Sequence, residues 1–273
     1  MSETSALVEF AQRVGPHALP AFLGLLLVTT IGGGLLCAAR HRRIAARETN
    51  EEKKAPRIVL GLMTGFAGIV LAASAFAWIA RQIGPDRTLG LADQALSDAI
   101  GATLPQAALR FFSAFTHVGD PSVLIVLALV VAGVLWRMQQ KALMLGWLLT
   151  LAGNGLLNPW LKEIFARVRP IHDHGFAAAT GFSFPSGHSS GAMVTYGMLA
   201  FLALRLLPPR WHVAAVMTAI AVVLTTACSR IFLQVHFASD VVAGLLSGGT
   251  WLAVCIASIG YAERRRSRLQ RQA

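Results

Sequence analysis

The chain has 273 residues, 55% of them hydrophobic and only 14% charged, and carries a net charge of +11. That balance excludes an ordinary soluble domain of this length and points to a polytopic membrane protein. The positive charge does not read as a nucleic-acid surface, because the basic residues lie in short loops and a tail beside apolar runs, and no basic face is interleaved with aromatics.

Taken in chain order, seven apolar helices are predicted, over residues 18–39, 58–80, 121–136, 142–161, 188–207, 213–230 and 237–260. Several of these runs reach the roughly 20 residues that cross a bilayer as a helix. The first run could be a cleaved signal peptide. It is long for one, has little positive charge ahead of it and is followed by a strongly basic stretch, so an extra transmembrane helix is the better reading. Four segments are rich in Lys and Arg: residues 40–57, the turn near Arg137 and Lys141, the turn at Arg205 and Arg210, and the tail from Arg264 to Arg271. With seven spans all four fall on one side, the cytoplasmic one. Residues 81–120 then lie outside, with Asp86, Asp93, Asp98 and Asp120 against Arg81, Arg87 and Arg110. Within them, residues 89–115 read equally as a helix at the membrane interface or as a packed loop. Cys37, Cys228 and Cys255 have no metal-like spacing and read as small apolar residues.

Three polar fragments stand at the outer ends of these runs. In the first, Lys162, Arg167 and Arg169 precede Pro170. A lone cation there would snorkel to the interface, but three within eight positions suit an anion, with an Arg fork able to hold two phosphate oxygens and Lys acting as a point charge. The second, Pro185-Ser186-Gly187-His188, is a turn opening a helix, where Ser186 can cap and unpaired N–H groups form an anion site. By itself it is a weak signal, since a capping turn with an incidental histidine would look the same. In the third, Ser229-Arg230 is followed by His236 and Asp240. Four residues apart, a carboxylate can fix the tautomer of an imidazole and leave its other nitrogen free to attack, or the group can simply seal a helix–helix turn.

Together the fragments read K-x6-R-P, P-S-G-H and S-R-x5-H-x3-D, and in this the chain resembles the type-2 phosphatidic acid phosphatase superfamily, with every motif position matched. The resemblance covers residues 143–260. It implies an all-α, polytopic membrane helix bundle: a six-helix phosphatase core plus one extra N-terminal transmembrane helix. The corresponding division is residues 1–57 for the extra helix and a basic cytoplasmic loop, 58–262 for the membrane-embedded core and 263–273 for a basic cytoplasmic tail. It implies that His236 is the nucleophile, forming a phosphohistidine, that Asp240 orients it and that His188 is the general acid. Lys162, Arg169 and Arg230 would hold the phosphoryl oxygens, assisted by Ser186 and the Gly187 N–H.

No cofactor and no metal is expected, because side chains supply the positive charge. The cluster His172-Asp173-His174 could suggest a metal, but neighbouring ligands on an irregular loop read better as contacts to solvent or a head group. The expected substrate is a membrane lipid phosphate or pyrophosphate, with undecaprenyl pyrophosphate or a phospholipid monophosphate favoured, and the expected location is a bacterial inner membrane with the site facing outward. Two rivals remain. A non-catalytic lipid head-group carrier would have no need of His188 or the His236/Asp240 pair. A vanadium haloperoxidase-like enzyme shares the constellation but not the apolar spans.

Overall fold

The computed structural model describes residues 3–45, 54–84, 86–171, 175–177 and 179–272. Part of the basic segment, with Arg47 and Lys53, and the His172-Asp173-His174 cluster lie outside these residues. Among the described residues there are ten α-helices and no strand.

The N-terminal helix α1 (Glu3–Val14) was not expected; it leads through a short turn, with a proline near its start, into α2 (Ala18–Ala45). The second apolar run forms α3 (Lys54–Gln82). The segment expected to lie outside then folds as two helices, α4 (Thr88–Thr103) and α5 (Gln106–Thr116). The break falls at Leu104-Pro105, where both residues are extended; proline supplies no N–H to continue a helix and disfavours the α region in the residue before it. This segment is therefore helical and also packed: Ile100 and Phe112 are buried with Phe22, Phe232, Leu233 and Val235 in one apolar cluster. Helix α6 (Pro121–Arg137) starts at a proline, and α7 (Lys141–Phe165), α8 (Gly187–Leu206), α9 (His212–Phe232) and α10 (Ala238–Gln272) complete the bundle. Helix α10 runs on through the basic tail instead of stopping near residue 260.

Helices α8, α9 and α10 form the centre, with α7 against α8, α3 against α10 and α2 against α9. A second cluster, Leu135, Leu143, Trp147, Met198 and Leu202, joins α6, α7 and α8. The exterior is apolar: Leu36 is 74% exposed, Leu71 72% and Leu156 76%, while Ser186, Ser189 and Asp240 are fully buried. This inversion of the usual soluble pattern suits a lipid surround.

Five of the described helical stretches are long and apolar enough to cross a membrane, and α5 with α6, bent by 45°, would make a sixth. Helix α7 is long enough but does not meet the same apolarity. Its buried Thr150, Asn154 and Asn158 lower its hydropathy, and they face inward. The seven runs of the sequence are all helical, but not all are equally suited to lipid.

The extra helix is built into the bundle. A side chain at Gly33 would strike Ile220 of α9, so glycine there permits close approach of the two backbones. His212 Nε2 faces the Leu207 carbonyl at 2.8 Å, and its Nδ1 lies 2.9 Å from His41 Nε2. A carbonyl can only accept, so in the neutral pair Nε2 of His212 carries the proton and His41 donates. A cavity of about 1110 Å³ lies beside this pair, between α2, α8, α9 and α10, and none of the motif residues lines it.

Candidate active site

Helix α7 delivers Lys162 in its last turn and then reverses at Ala166, whose φ of 44° is left-handed and whose N–H bonds the Lys162 carbonyl. Glycine is usual at such a cap; alanine there is strained. After the reversal the chain is tied to Ser183, whose N–H donates to the Arg167 carbonyl at 2.8 Å and whose hydroxyl donates to the Val168 carbonyl at 3.2 Å. This places Arg167 and Arg169 against the turn that opens α8.

That turn contains a cis Phe184–Pro185 bond. The Ser186 N–H donates to the Asp240 carbonyl at 2.9 Å, and a Cβ on Gly244 would lie 2.5 Å from the Ser186 carbonyl oxygen. Glycine at 244 thus lets α10 reach the turn. Ser186 caps α8, its oxygen accepting from Ser189 N–H at 3.4 Å and from the Ser189 hydroxyl at 2.9 Å. Of the two uses expected for Ser186, capping is the one seen here; its own O–H remains a donor. Asn158 of α7 lies beside Gly187 and donates to Ser190 at 3.2 Å, a contact that no local pattern announces.

His236 and Asp240 meet as expected, although not along a helix face. Helix α10 begins at Ala238, so His236 lies in the turn before it and Asp240 in its first turn. Asp240 Oδ2 accepts from Phe237 N–H at 2.9 Å and lies 3.4 Å from His236 Nδ1. The latter is long for a hydrogen bond, and Nδ1 has no closer partner among the described residues. On the other side of the ring, Arg169 Nη1 is 3.0 Å from Nε2. Guanidinium can only donate, so Nε2 holds the lone pair and the neutral ring carries its proton on Nδ1, towards Asp240. The Nε2 lone pair thus faces a cation.

Burial pushes the His236 imidazole down to about 3, against the opposing pull of Asp240. A group with a lowered pKa is neutral above that value and is lost to protonation only as pH falls through it. With the substrate's own ionisation divided out, the acid limb of kcat/KM should therefore lie well below 6.5, the ordinary imidazole value. A limb centred near 6.5 would mean that His236 is not the titrating base.

Arg169 is more heavily committed than a simple phosphate fork. Its Nε donates to the Gly181 carbonyl at 2.9 Å, Nη1 to the Val235 carbonyl at 2.7 Å, and Nη2 to the Thr180 and Phe182 carbonyls at 3.1 and 3.0 Å. With the contact to His236, all five N–H groups are engaged. A phosphoryl oxygen would reach Arg169 only by taking over the donor that now faces His236. Arg169→Lys keeps the charge but offers three donors to an arrangement that uses five, so kcat/KM should fall by about 100-fold or more. Near wild-type kinetics would reduce Arg169 to a surface cation.

Arg230, in the last turn of α9, donates through Nη1 to Thr116 at 2.6 Å, and its buried Nε has no partner among the described residues. An unpaired buried donor on a cation is costly and fits a place for an anion. Lys162 lies within electrostatic reach of Arg169, Arg230 and Asp240, and His188 within reach of Arg230 and Lys162. The sequence-predicted residues are therefore gathered at one place.

Three pairings escaped the sequence reading, and Arg167, expected with Lys162 and Arg169 to suit an anion, is instead committed to carboxylates of the protein. Arg167 lies between two carboxylates: Nη1 donates to Asp240 Oδ1 at 2.6 Å and to the Ser239 hydroxyl at 2.8 Å, and Nη2 donates to Asp93 Oδ2 at 2.8 Å. Its guanidinium also stacks 4.2 Å from the Phe237 ring centroid. Asp93, on α4, accepts from Ser239 N–H and from its hydroxyl. Burial raises the Asp93 carboxyl while Arg167 pulls the other way. The second involves Thr116, which also accepts from the Ser229 hydroxyl at 3.0 Å. The third involves Asp120, whose Oδ1 is 2.8 Å from His188 Nε2 and whose Oδ2 is 2.7 Å from His117 Nδ1.

Residues 143–264 match the model of the PAP2 superfamily. The chain is 36% identical over 137 residues to a lipid A 1-phosphatase of Rhizobium etli, covering 45% of this chain and 55% of that one. It is 30% identical over 164 residues to phosphatidylglycerophosphatase B of Bacillus subtilis, covering 58% of this chain and 78% of that one. It thus spans only about half the length of the Rhizobium relative but most of the Bacillus one. The crystal structure of a transmembrane PAP2 type phosphatidylglycerolphosphate phosphatase from Bacillus subtilis superposes with a TM-score of 0.65 at 28% identity, covering 72% of this chain and 96% of that one. On its motifs, its all-helical membrane fold and these likenesses, the chain belongs to the PAP2 superfamily.

Proposed function

We propose that this protein is an integral-membrane lipid phosphatase that removes a phosphoryl group at the outer face of the bilayer through a phosphohistidine on His236. The observation that carries the reading is the His236 ring itself: buried, with Nδ1 towards Asp240 and the Nε2 lone pair aimed at the cations. In the first step Nε2 attacks phosphorus, the bond to the leaving oxygen breaks, and His188 supplies that oxygen with a proton. In the second, His188 takes a proton from water, the water oxygen attacks the phosphohistidine, and inorganic phosphate leaves. Lys162, Arg169 and Arg230 neutralise the equatorial oxygens, with the Gly187 N–H and the Ser186 hydroxyl beside them.

Two relatives bear the names of phosphatases for lipid A and for phosphatidylglycerophosphate, which supports a lipid phosphate as substrate. Undecaprenyl pyrophosphate and phospholipid monophosphates belong on the same test panel. The basic segments support a bacterial inner-membrane location with the motifs facing the periplasm. Residues 58–262 would be the catalytic core, 1–57 a retained extra helix with its basic loop and 263–273 a cytoplasmic tail.

The test is phosphate release from undecaprenyl pyrophosphate, phosphatidylglycerol phosphate, phosphatidate and a lipid A phosphate in detergent, with chelator throughout. Release is expected to persist with chelator and to be inhibited by vanadate, which mimics the five-coordinate phosphoryl. A strict magnesium requirement would contradict catalysis by side-chain cations. Binding of these lipids without release would favour the carrier reading.

A further inference from the structure

A second His–Asp pair accompanies the first, and its carboxylate belongs to no motif. Asp120 sits at the junction of the short 3-10 turn His117–Gly119 with α6. The turn is fixed from three sides. The Asp120 N–H donates to the His117 carbonyl at 3.0 Å, and the Tyr196 hydroxyl of α8 donates to the Val118 carbonyl at 2.9 Å. Gly119 abuts α9 and His188 so closely that a Cβ would lie 2.5 Å from Thr226 Cγ2 and 3.1 Å from His188 Cδ2. Asp120 is thus delivered to His188 by packing from α8 and α9, across 68 positions of sequence.

The charges around His188 give this carboxylate a task. Lys162 from α7 and Arg230 from α9 face the ring, and both oppose a positive charge on it. Asp120 contacts it through Oδ1 and also lies within electrostatic reach of Arg230 and beside the exposed His117. It is the acidic group in contact with His188. An alcohol leaves a phosphate monoester poorly as an alkoxide and needs a proton in the transition state, whereas a good leaving group such as a nitrophenolate does not.

We propose that Asp120 is a positioning residue that holds the His188 imidazole and its proton for the departing alcohol of a phosphate monoester. The proposal rests on the phosphohistidine reading above and deepens it. Each histidine then has its own aspartate: Asp240 sets the tautomer of the attacking ring, and Asp120 sets the proton of the donating one. No new bond is made by Asp120. The proton passes from His188 to the leaving oxygen and returns from the water of the second step.

The experiment compares two substrates in one preparation: phosphatidylglycerol phosphate, whose leaving group is an alcohol, and para-nitrophenyl phosphate, whose leaving group departs unprotonated. The readout is the ratio of their kcat/KM values, since kcat/KM reports transfer to His236 and omits the shared hydrolysis step. A ratio within one sample does not depend on how much of the protein is folded. For D120N the ratio should fall by about 100-fold relative to wild type. The alkaline limb for the lipid should also move to lower pH. H117A should move the ratio in the same direction by less, because the carboxylate keeps its contact with His188. An unchanged ratio in D120N, whether both activities fall together or neither falls, overturns the proposal and leaves the phosphatase reading standing. Wild-type protein that hydrolyses neither substrate overturns that reading instead. D120A provides the same ratio if D120N yields no folded protein.

Discussion

His236→Ala should abolish phosphate release, by on the order of 10⁴-fold or more, while inorganic phosphate or vanadate still binds. In the proposed mechanism no neighbour replaces His236: Asp240 lies on the Nδ1 side of the ring and is tied to Arg167 and the Phe237 N–H, and His188 is committed to Asp120. Nucleophile, orienting carboxylate and proton donor would act as a unit, so loss of the nucleophile alone costs nearly as much as loss of all three. The fold should survive, because Asp240 keeps two of its partners and is not left as an isolated buried charge. The checks are single-turnover phosphate release, vanadate binding by calorimetry and the elution profile in detergent. Retained turnover would remove the phosphohistidine from the mechanism.

Arg167→Met should be the most destabilising substitution in the site. The guanidinium bridges Asp93 and Asp240, and all three side chains are nearly or fully buried. Removing the cation leaves two carboxylates without their main partner, in a place where water does not replace it. Breaking a buried pair of this kind costs about 3–5 kcal/mol, even though a fully apolar replacement of the whole group can be neutral. The loss should appear as a lowered midpoint of thermal unfolding in detergent, with activity lost through Asp240 even in the fraction that folds. Asp93→Asn combined with Arg167→Met should be less damaging than the sum of the two, since the residues share one network. An R167M protein as heat-stable as wild type would mean that the bridge is not structural.

The contrast between these two substitutions reflects what the sequence made visible. Lys162, Arg169, Ser186, Gly187, His188, Arg230, His236 and Asp240 were legible because each fragment keeps its spacing, and the structure gathers them. The helices were legible from continuous apolarity, although their ends were not: α2, α3, α7 and α10 all run on beyond the apolar stretch, because charged residues such as Arg, Lys and Glu are good helix formers. Helix α1 was missed because its mixed pattern resembles a polar terminus. Asp93, Asp120 and Thr116 were illegible for a different reason. They act on groups 74, 68 and 114 positions away, and no local period records such a pairing. Asp93 read as one more acid in an outer loop; only the packing of α4 against α10 makes it the counter-ion of Arg167. Arg169 likewise read as a free fork, because three of the four carbonyls that occupy it, those of Thr180, Gly181 and Phe182, come from a stretch without a motif.

The close seating of α2 on α9 also orders events in time. His41 and His212 are 171 positions apart. At a synthesis rate of about 5–20 residues per second, α2 waits roughly 10–35 s in the bilayer before its partner emerges. During that interval it lacks its main packing partner. Its uninterrupted apolar run suits the wait, since lipid can cover the face that α9 will later take. The groove for α2 is completed only once α9 has been made, so α2 finds its seat long after it has itself been synthesised.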